Sequence, residues 1–371
     1  MFKNLLKNTD YVLIISVILL FIIGVFAIYS AGYNSSSQEY QKQIVWFSMV
    51  CIMMVIIWAI DYSIFNIMGY LLYGLNLILL VAVLSMPSVF GATSWFNIGG
   101  ISYQPSELMK IGYIICLAKI MSMYSELSES SNPDKKKKII LISIMVILFI
   151  VPVFLIIIQP DFGTALVFVM ITAFMLFKLG IKYRYILICI LIGIILLPMI
   201  YNVIPSHAKA RIDVFLNPEL DPLGDGYNAI QSKIAVGAGM LLGTGFLKGS
   251  QTQYDYLPVQ SSDFIFSVIS EEMGFVISAL VVVLYSILIL RLLRNAATAR
   301  DTYSSFLIIG ITGMFAFHFI ENVGMTIGLL PITGVPLPFV SYGGSNMITS
   351  GILIGIVLNI SARKSQNNIW N

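Results

Sequence analysis

Carboxylates that can take a proton from a hydroxyl, or hold a cation, are costly beside hydrocarbon, and this chain places several there. In QTQYDYLPVQSSDFIFSVISEEMG (251–274) a polar approach carrying Tyr254, Asp255, Tyr256 and Pro258 runs into Ser261, Ser262 and Asp263. An apolar stretch containing Glu271 and Glu272 follows at once. Ionisable groups at the lip of a membrane segment, or inside it, are functional candidates by default. Two further apolar stretches open on an acid. One begins Gln104-Pro105-Ser106-Glu107 with Lys110 a turn later, and the other Gln159-Pro160-Asp161. Taken singly, each acid is as well explained as a helix start signal that meets the orphan N–H groups and the macrodipole.

The elements that must position these groups are membrane helices. The 371 residues are 58% hydrophobic and only 11% charged, against about 25% charged in soluble domains. Apolar runs of about 20 residues recur throughout, which calls for helices and excludes a barrel. The fold class is an all-α polytopic membrane protein, residues 1–371 forming a single transmembrane domain. Ten spans are expected: 11–31, 43–60, 64–86, 105–124, 139–158, 162–180, 185–204, 263–290, 303–328 and 345–362. The first follows Lys3 and Lys7 and is too long for a cleaved signal. With both termini cytoplasmic, 15 Lys and Arg lie inside and 6 outside, together the 21 of the sequence, as the positive-inside rule requires. The Lys135–Lys138 run is then a stop signal beside a span and not a nucleic-acid site. Cys51, Cys116 and Cys189 lie in apolar runs, so no disulfide framework is implied. One long extracytoplasmic loop, 205–262, joins spans seven and eight. Ile230, Ile234 and Leu241 suggest an interfacial helix within it, and a loop packed over the bundle has comparable weight.

On this topology every even-numbered span starts at the outer face, so Glu107, Asp161 and Asp263 converge there. Capping does not explain three acids on one face beside cations. Outward helix N-termini also suit a phosphate or diphosphate, with Lys42, Lys110, Lys233 and Arg211 as point charges. Ser267 and Ser270 share the Asp263 face. Glu271 lies roughly 12 Å deeper and Glu272 points nearly opposite, so both read as a buried polar network with a partner from span nine. His318, Glu321 and Asn322 share one face of span nine, as a hydrogen-bond cluster or, less favoured, a metal site. The run from Gly328 through Ser341 to Asn346 carries Pro331, Pro336 and Pro338 and cannot be helical in its middle. Such backbone is tolerated where it is buried in protein or lines a cavity, and Gly343 and Gly344 would admit a ligand closely. No nucleotide-binding loop, HExxH or Gly-x-Ser-x-Gly elbow is present.

GATSWFNIGG (91–100), QPSELMK (104–110), QPDFG (159–163), the 226–258 block, SDFIFSVISEEMG (262–274) and NVGMTIGLLPITGVPLPFVSYGGSN (322–346) resemble the SEDS family of bacterial cell-wall proteins (shape, elongation, division, sporulation). Met325–Phe339 and Gln231-Ser232-Lys233 resemble its rod-shape branch more than its division branch. The chain departs from the family pattern at Val259, Ser261 and Ser262, where relatives often carry Glu, His and Thr, and at Ser94, where they often carry Arg.

The resemblance implies a ten-span peptidoglycan glycosyltransferase in the bacterial cytoplasmic membrane. It would polymerise lipid II, the undecaprenyl-diphosphate-linked disaccharide pentapeptide, on the outer leaflet with inversion. The usual partner is a class B penicillin-binding protein. The family's catalytic aspartate falls on Asp263, and its Gln-Pro-Ser-Glu and following lysine fall on Glu107 and Lys110. The substrate-binding set is then Gln104, Glu107, Lys110, Asp161, Lys233, Ser262, Ser341, Gly343 and Gly344. A divalent cation, Mg or Mn, held by Glu107 or Asp161 is a further option. The rival readings are a lipid II flippase, which should place its decisive charges at the midplane, and a non-catalytic scaffold for the transpeptidase.

Overall fold

The computed structural model describes residues 6–34, 37–60, 64–87, 93–98, 101–132, 134–180, 184, 209, 213–221 and 224–363. The apolar runs fold as helices α1 (Tyr11–Ala31), α2 (Glu39–Ala59), α3 (Ile64–Ala82), α4 (Pro105–Glu129), α5 (Lys135–Ile158) and α6 (Phe162–Lys178). After the long loop, which contains α7 (Asp225–Ala238), come α8 (Ile265–Ala297), α9 (Thr302–Thr326) and α10 (Gly344–Ala362). Among the described residues eight helices are long and apolar enough to cross a membrane, and α6 is apolar but shorter. The expected seventh span, 185–204, lies outside the described residues.

Local chemistry sets many of the helix starts. Asp10, Asp134, Asp161 and Asp301 each accept a backbone N–H from the first turn of α1, α5, α6 and α9. Pro105 opens α4 at a position where its missing N–H costs nothing. Helices α4, α9 and α10 form the interior, and α2 and α5 turn most of their apolar surface outward. Packing runs α2 on α10, α3 on α4, α4 on α9, α6 on α9, and α8 on both α1 and α9. Polar clamps fix the end far from the acids. Asp10 takes Arg291 and Asn295, joining α1 to α8. Asn359 of α10 donates to the carbonyl oxygens of Ile57, Trp58 and Ile60 at the end of α2.

Two features differ from expectation, and a third decides between the two readings of the long loop. Residues Phe96–Ile98 and Ile101–Tyr103 form a small antiparallel hairpin, Phe96 opposite Tyr103. Helix α7 ends before Leu241 and docks on the bundle. Its Ser232 Oγ lies 2.7 Å from Ser267 Oγ of α8 and donates to Thr326 O at the end of α9. Helix α8 is broken at Gly274, whose φ of 74° suits glycine. Loop 239–249 lies in that break. Thr244 and Gly245 N–H donate to Glu271 and Glu272 O, and Phe275 and Val276 N–H donate to Met240 and Leu241 O.

The same loop corrects the reading of Glu271 and Glu272. Their partners come from residues 247–253, not from α9. Glu271 accepts from the N–H groups of Gln251 and Thr252 and from Thr252 Oγ1, while Glu272 accepts from Leu247 N–H, Gly249 N–H and Gln253 Nε2. Side-chain facing on a helix says where a carboxylate points, not which distant segment will meet it.

Candidate functional site

A cavity of about 790 Å³ opens at one end of the bundle. Its wall takes Lys42 and Trp46 from the start of α2, Gln104 and Glu107 from α4, and Asp161 and Thr164 from α6. Ser262 and Asp263 precede α8, and Gly343–Asn346 start α10. Five helices therefore begin around one space, and their positive dipole ends favour negative charge in it. The hairpin adds Asn97 and Ser102, and the irregular run before α10 adds Thr333–Pro336.

The three acids behave differently. Asp161 caps α6 through the Thr164 N–H, and its Oδ2 accepts from Gln104 Nε2 at 2.7 Å, so the two Gln-Pro starts are bonded to each other. Burial pushes its carboxyl above the ordinary range, while the Thr164 bonds and the charge of Lys110 pull it back. Glu107 does not cap α4. Its Oε1 pairs with Lys110 Nζ at 2.8 Å, and its Oε2 is buried with no partner among the described residues. Lys110 lies fully buried beneath the cavity, 3.2 Å from His318 Nε2. His318 Nδ1 is 2.8 Å from Pro336 O, to which it donates, so Nε2 is left to accept from the ammonium.

Asp263 is not the N-cap residue of α8, a position that Phe264 takes. It sits two residues before α8, half-buried, with Ser262 Oγ 3.1 Å from its Oδ1. The backbone of its turn is fixed by three donors from two segments. Asn322 of α9 donates to Asp263 O and Val335 O, Ser341 Oγ donates to Ser262 O at 2.6 Å, and Tyr342 N–H donates to Ser261 O. Gly334 runs directly under the carboxylate: it has φ 74°, and a Cβ there would fall 3.2 Å from Asp263 Oδ2.

The cavity thus gathers Asp263, Ser262, Gln104, Glu107, Asp161, Gly343, Gly344 and His318. It does not gather the rest. Ser341 is spent holding the Asp263 turn, and exposed Lys233 lines a separate small pocket with Gly328 and Pro331. Glu321 takes Thr333 Oγ1, and Arg211 lies outside the described residues. Among the described residues no three His, Cys, Asp or Glu side chains group as metal ligands. Sequence reasoning missed Trp46, Asn346 and the hairpin polar pair; Asn346 stood in a run already singled out for its irregular backbone.

The profile of the FtsW/RodA/SpoVE cell cycle proteins matches residues 10–366. The chain belongs to this family. It is similar to the peptidoglycan glycosyltransferase RodA of Treponema pallidum, 33% identical over 96% of this chain and 98% of that one. Peptidoglycan glycosyltransferase MrdB of Escherichia coli K12 is 33% identical over 93% of each chain. Stage V sporulation protein E of Bacillus subtilis is 36% identical over 95% and 97%. Among solved structures, a chain of a peptidoglycan synthase complex coordinating polymerization and crosslinking superposes with a TM-score of 0.80 at 26% identity, covering 96% and 99%. Thermus thermophilus rod shape determining protein RodA gives 0.71 at 25%, covering 96% and 98%. A multi-pass FtsW/RodA/SpoVE bundle is therefore the scaffold on which the cavity is built.

Proposed function

We propose that the protein is a peptidoglycan glycosyltransferase of the rod-shape type, polymerising lipid II into β-1,4-linked glycan at the outer face of the bacterial cytoplasmic membrane. The observation that carries this reading is Asp263. It is one carboxylate, on a turn whose backbone is held by α9 and by residues 341–342, opening on a polar cavity where five helices begin. The names of the relatives point the same way, and the Lys and Arg distribution supports an outward-facing site.

Asp263 takes the proton from the acceptor sugar 4-hydroxyl. The resulting oxygen attacks the anomeric carbon of the donor from the face opposite its diphosphate. The new C–O bond forms as the bond to the diphosphate breaks, the electron pair leaves with that group, and the α-linked donor becomes a β-1,4 linkage. A leaving group this good needs charge stabilisation and no second acid, unlike the paired carboxylates of glycoside hydrolysis. The helix N-termini that open on the cavity supply it, and Lys110, buried beneath and paired with Glu107, adds only its field. A magnesium or manganese ion shared between the diphosphate and Glu107 or Asp161 would add to it. The unpaired Glu107 Oε2 fits that use, since such ions are commonly held by one or two carboxylates plus substrate phosphates.

A class B penicillin-binding protein is the proposed partner. The deciding experiment incubates purified protein with labelled lipid II in detergent and, separately, in sealed vesicles. Polymer in the first is expected. Transbilayer movement of lipid II in the second without polymer in either would make the protein a transporter, and neither activity would leave a scaffold.

Two smaller predictions follow from the geometry. Gly334→Ala strains a φ of 74° and crowds Asp263 Oδ2. Turnover should drop roughly tenfold or more, as misplaced catalytic groups do, with the KM for lipid II little changed; a wild-type rate would show that the carboxylate is not held against this turn. Adding EDTA and then restoring magnesium or manganese tests the cation: polymerisation that falls and recovers is expected, and one indifferent to chelation removes the ion from the mechanism.

A further inference from the structure

The irregular run from Thr333 to Pro336 has no ladder of its own, and α9 holds it at three points. Glu321 takes the Thr333 hydroxyl, Asn322 donates to Val335 O, and His318 Nδ1 lies 2.8 Å from Pro336 O. Gly334, which runs under the Asp263 carboxylate, stands between these bonds. His318 also reaches α4. Its Nε2 is 3.2 Å from Lys110 Nζ, and the same ammonium meets Glu107 Oε1 at 2.8 Å. One imidazole therefore joins the run beneath Asp263 to the buried ion pair of α4.

A carbonyl oxygen can only accept, so the bond to Pro336 O requires the proton on Nδ1 and turns the Nε2 lone pair to the ammonium. Imidazole and ammonium are both buried, His318 at 1% exposure and Lys110 at 0%. A buried donor without an acceptor is costly, so an ammonium deprived of Nε2 would swing that N–H to another oxygen. The carboxylate it already holds offers one. Glu107 Oε2 is buried, has no partner among the described residues, and belongs to a side chain that lines the cavity. The imidazole thus decides whether Lys110 claims one oxygen of Glu107 or both.

Resting on the proposed glycosyl transfer, we infer that His318 is a positioning residue for that reaction. Its Nε2 keeps Lys110 on Glu107 Oε1 and leaves Oε2 unclaimed at the cavity. Its Nδ1 pins the 333–336 run against which Asp263 lies. The ring transfers no proton; it fixes the base and the α4 carboxylate relative to each other.

Two amides divide the two bonds of the ring. Asparagine places a donor where Nδ1 stands and keeps Pro336 O, while glutamine places an acceptor where Nε2 stands and keeps Lys110. In lipid II polymerisation His318→Gln should turn over close to the wild-type rate. His318→Asn should lose about tenfold or more in kcat with KM little changed, the mark of groups held out of place. A wild-type rate in His318→Asn overturns the assignment. So does the reverse order, which would make the ring a prop for the 333–336 run alone, and so does an equal loss in both variants, which would make it packing. The unaltered ring gives a measurement that needs no variant at this position. In a His207→Gln background His318 is the one histidine of the sequence, and ring-nitrogen NMR should show a neutral imidazole with its proton on Nδ1 and Nε2 hydrogen-bonded. A proton on Nε2 overturns the bridge. A protein with the expected tautomer that never makes polymer refutes the proposed reaction and leaves the bridge standing.

Discussion

Asp263→Asn lowers lipid II polymerisation by about 10²–10⁴-fold, the span of a lost general base, while the protein keeps its fold and its thermal transition. Asparagine matches aspartate in shape and can still accept from Ser262 Oγ, which donates to Oδ1 in the wild type. The backbone bonds from Asn322, Ser341 and Tyr342 fall on main-chain atoms or on neighbouring residues and do not depend on the carboxylate. The variant loses the negative charge and the proton affinity of the carboxylate. Polymer length and yield from labelled lipid II, resolved on gels, give the measurement. A variant that polymerises at the wild-type rate removes Asp263 from the chemistry and, with it, the mechanism.

Glu271→Leu, a change in α8, should release the end of the long loop from the bundle. The substitution strips the acceptor from the buried N–H and hydroxyl of Thr252 and from the part-buried N–H of Gln251. Each donor left buried and unmade costs about 1–3 kcal/mol, so the sum approaches the whole stability of many domains. The loop should detach before the bundle melts. Hydrogen exchange and protease cleavage within 247–262 should rise sharply, and polymerisation should fall because residues 259–263 follow directly on the released segment. Glu271→Gln offers one oxygen and an NH₂ that faces donors, so an intermediate loss is expected. Wild-type protection of the loop in Glu271→Leu would contradict the clamp.

Much of this was legible in the residues. The helix starts at Pro105 and Phe162 follow from apolar runs opened by Gln104-Pro105 and by Gln159-Pro160-Asp161. The convergence of Glu107, Asp161 and Asp263 followed from counting spans and charges, since helices that alternate direction must start at alternate faces. The sequence did not separate an acid at the N-cap position from one set ahead of its helix. Asp161 and Asp263 look alike in composition, yet a turn held by α9 and by residues 341–342 sets Asp263 two residues ahead of its helix. Partners were also illegible where they came from far along the chain: nothing in the spacing of Glu271 and Glu272 announces residues 247–253. The break at Gly274 was hidden because a lone glycine in an apolar run reads as continuous helix. Its reason, a second segment completing the ladder, exists only in three dimensions.

That stitched break has a consequence for biogenesis. Between Glu271 and Val276 four main-chain groups find their partners only in residues 240–245, and hydrocarbon offers no substitute. Helix α8 cannot settle into the bilayer as a finished rod and then receive its loop. Insertion of the helix and folding of the segment before it must be completed as one event, and the segment is synthesised first. A ribosome stalled between residues 250 and 270 would hold a loop with nothing to close on, so α8 and the loop that mends it reach their native arrangement only after residue 276 has emerged.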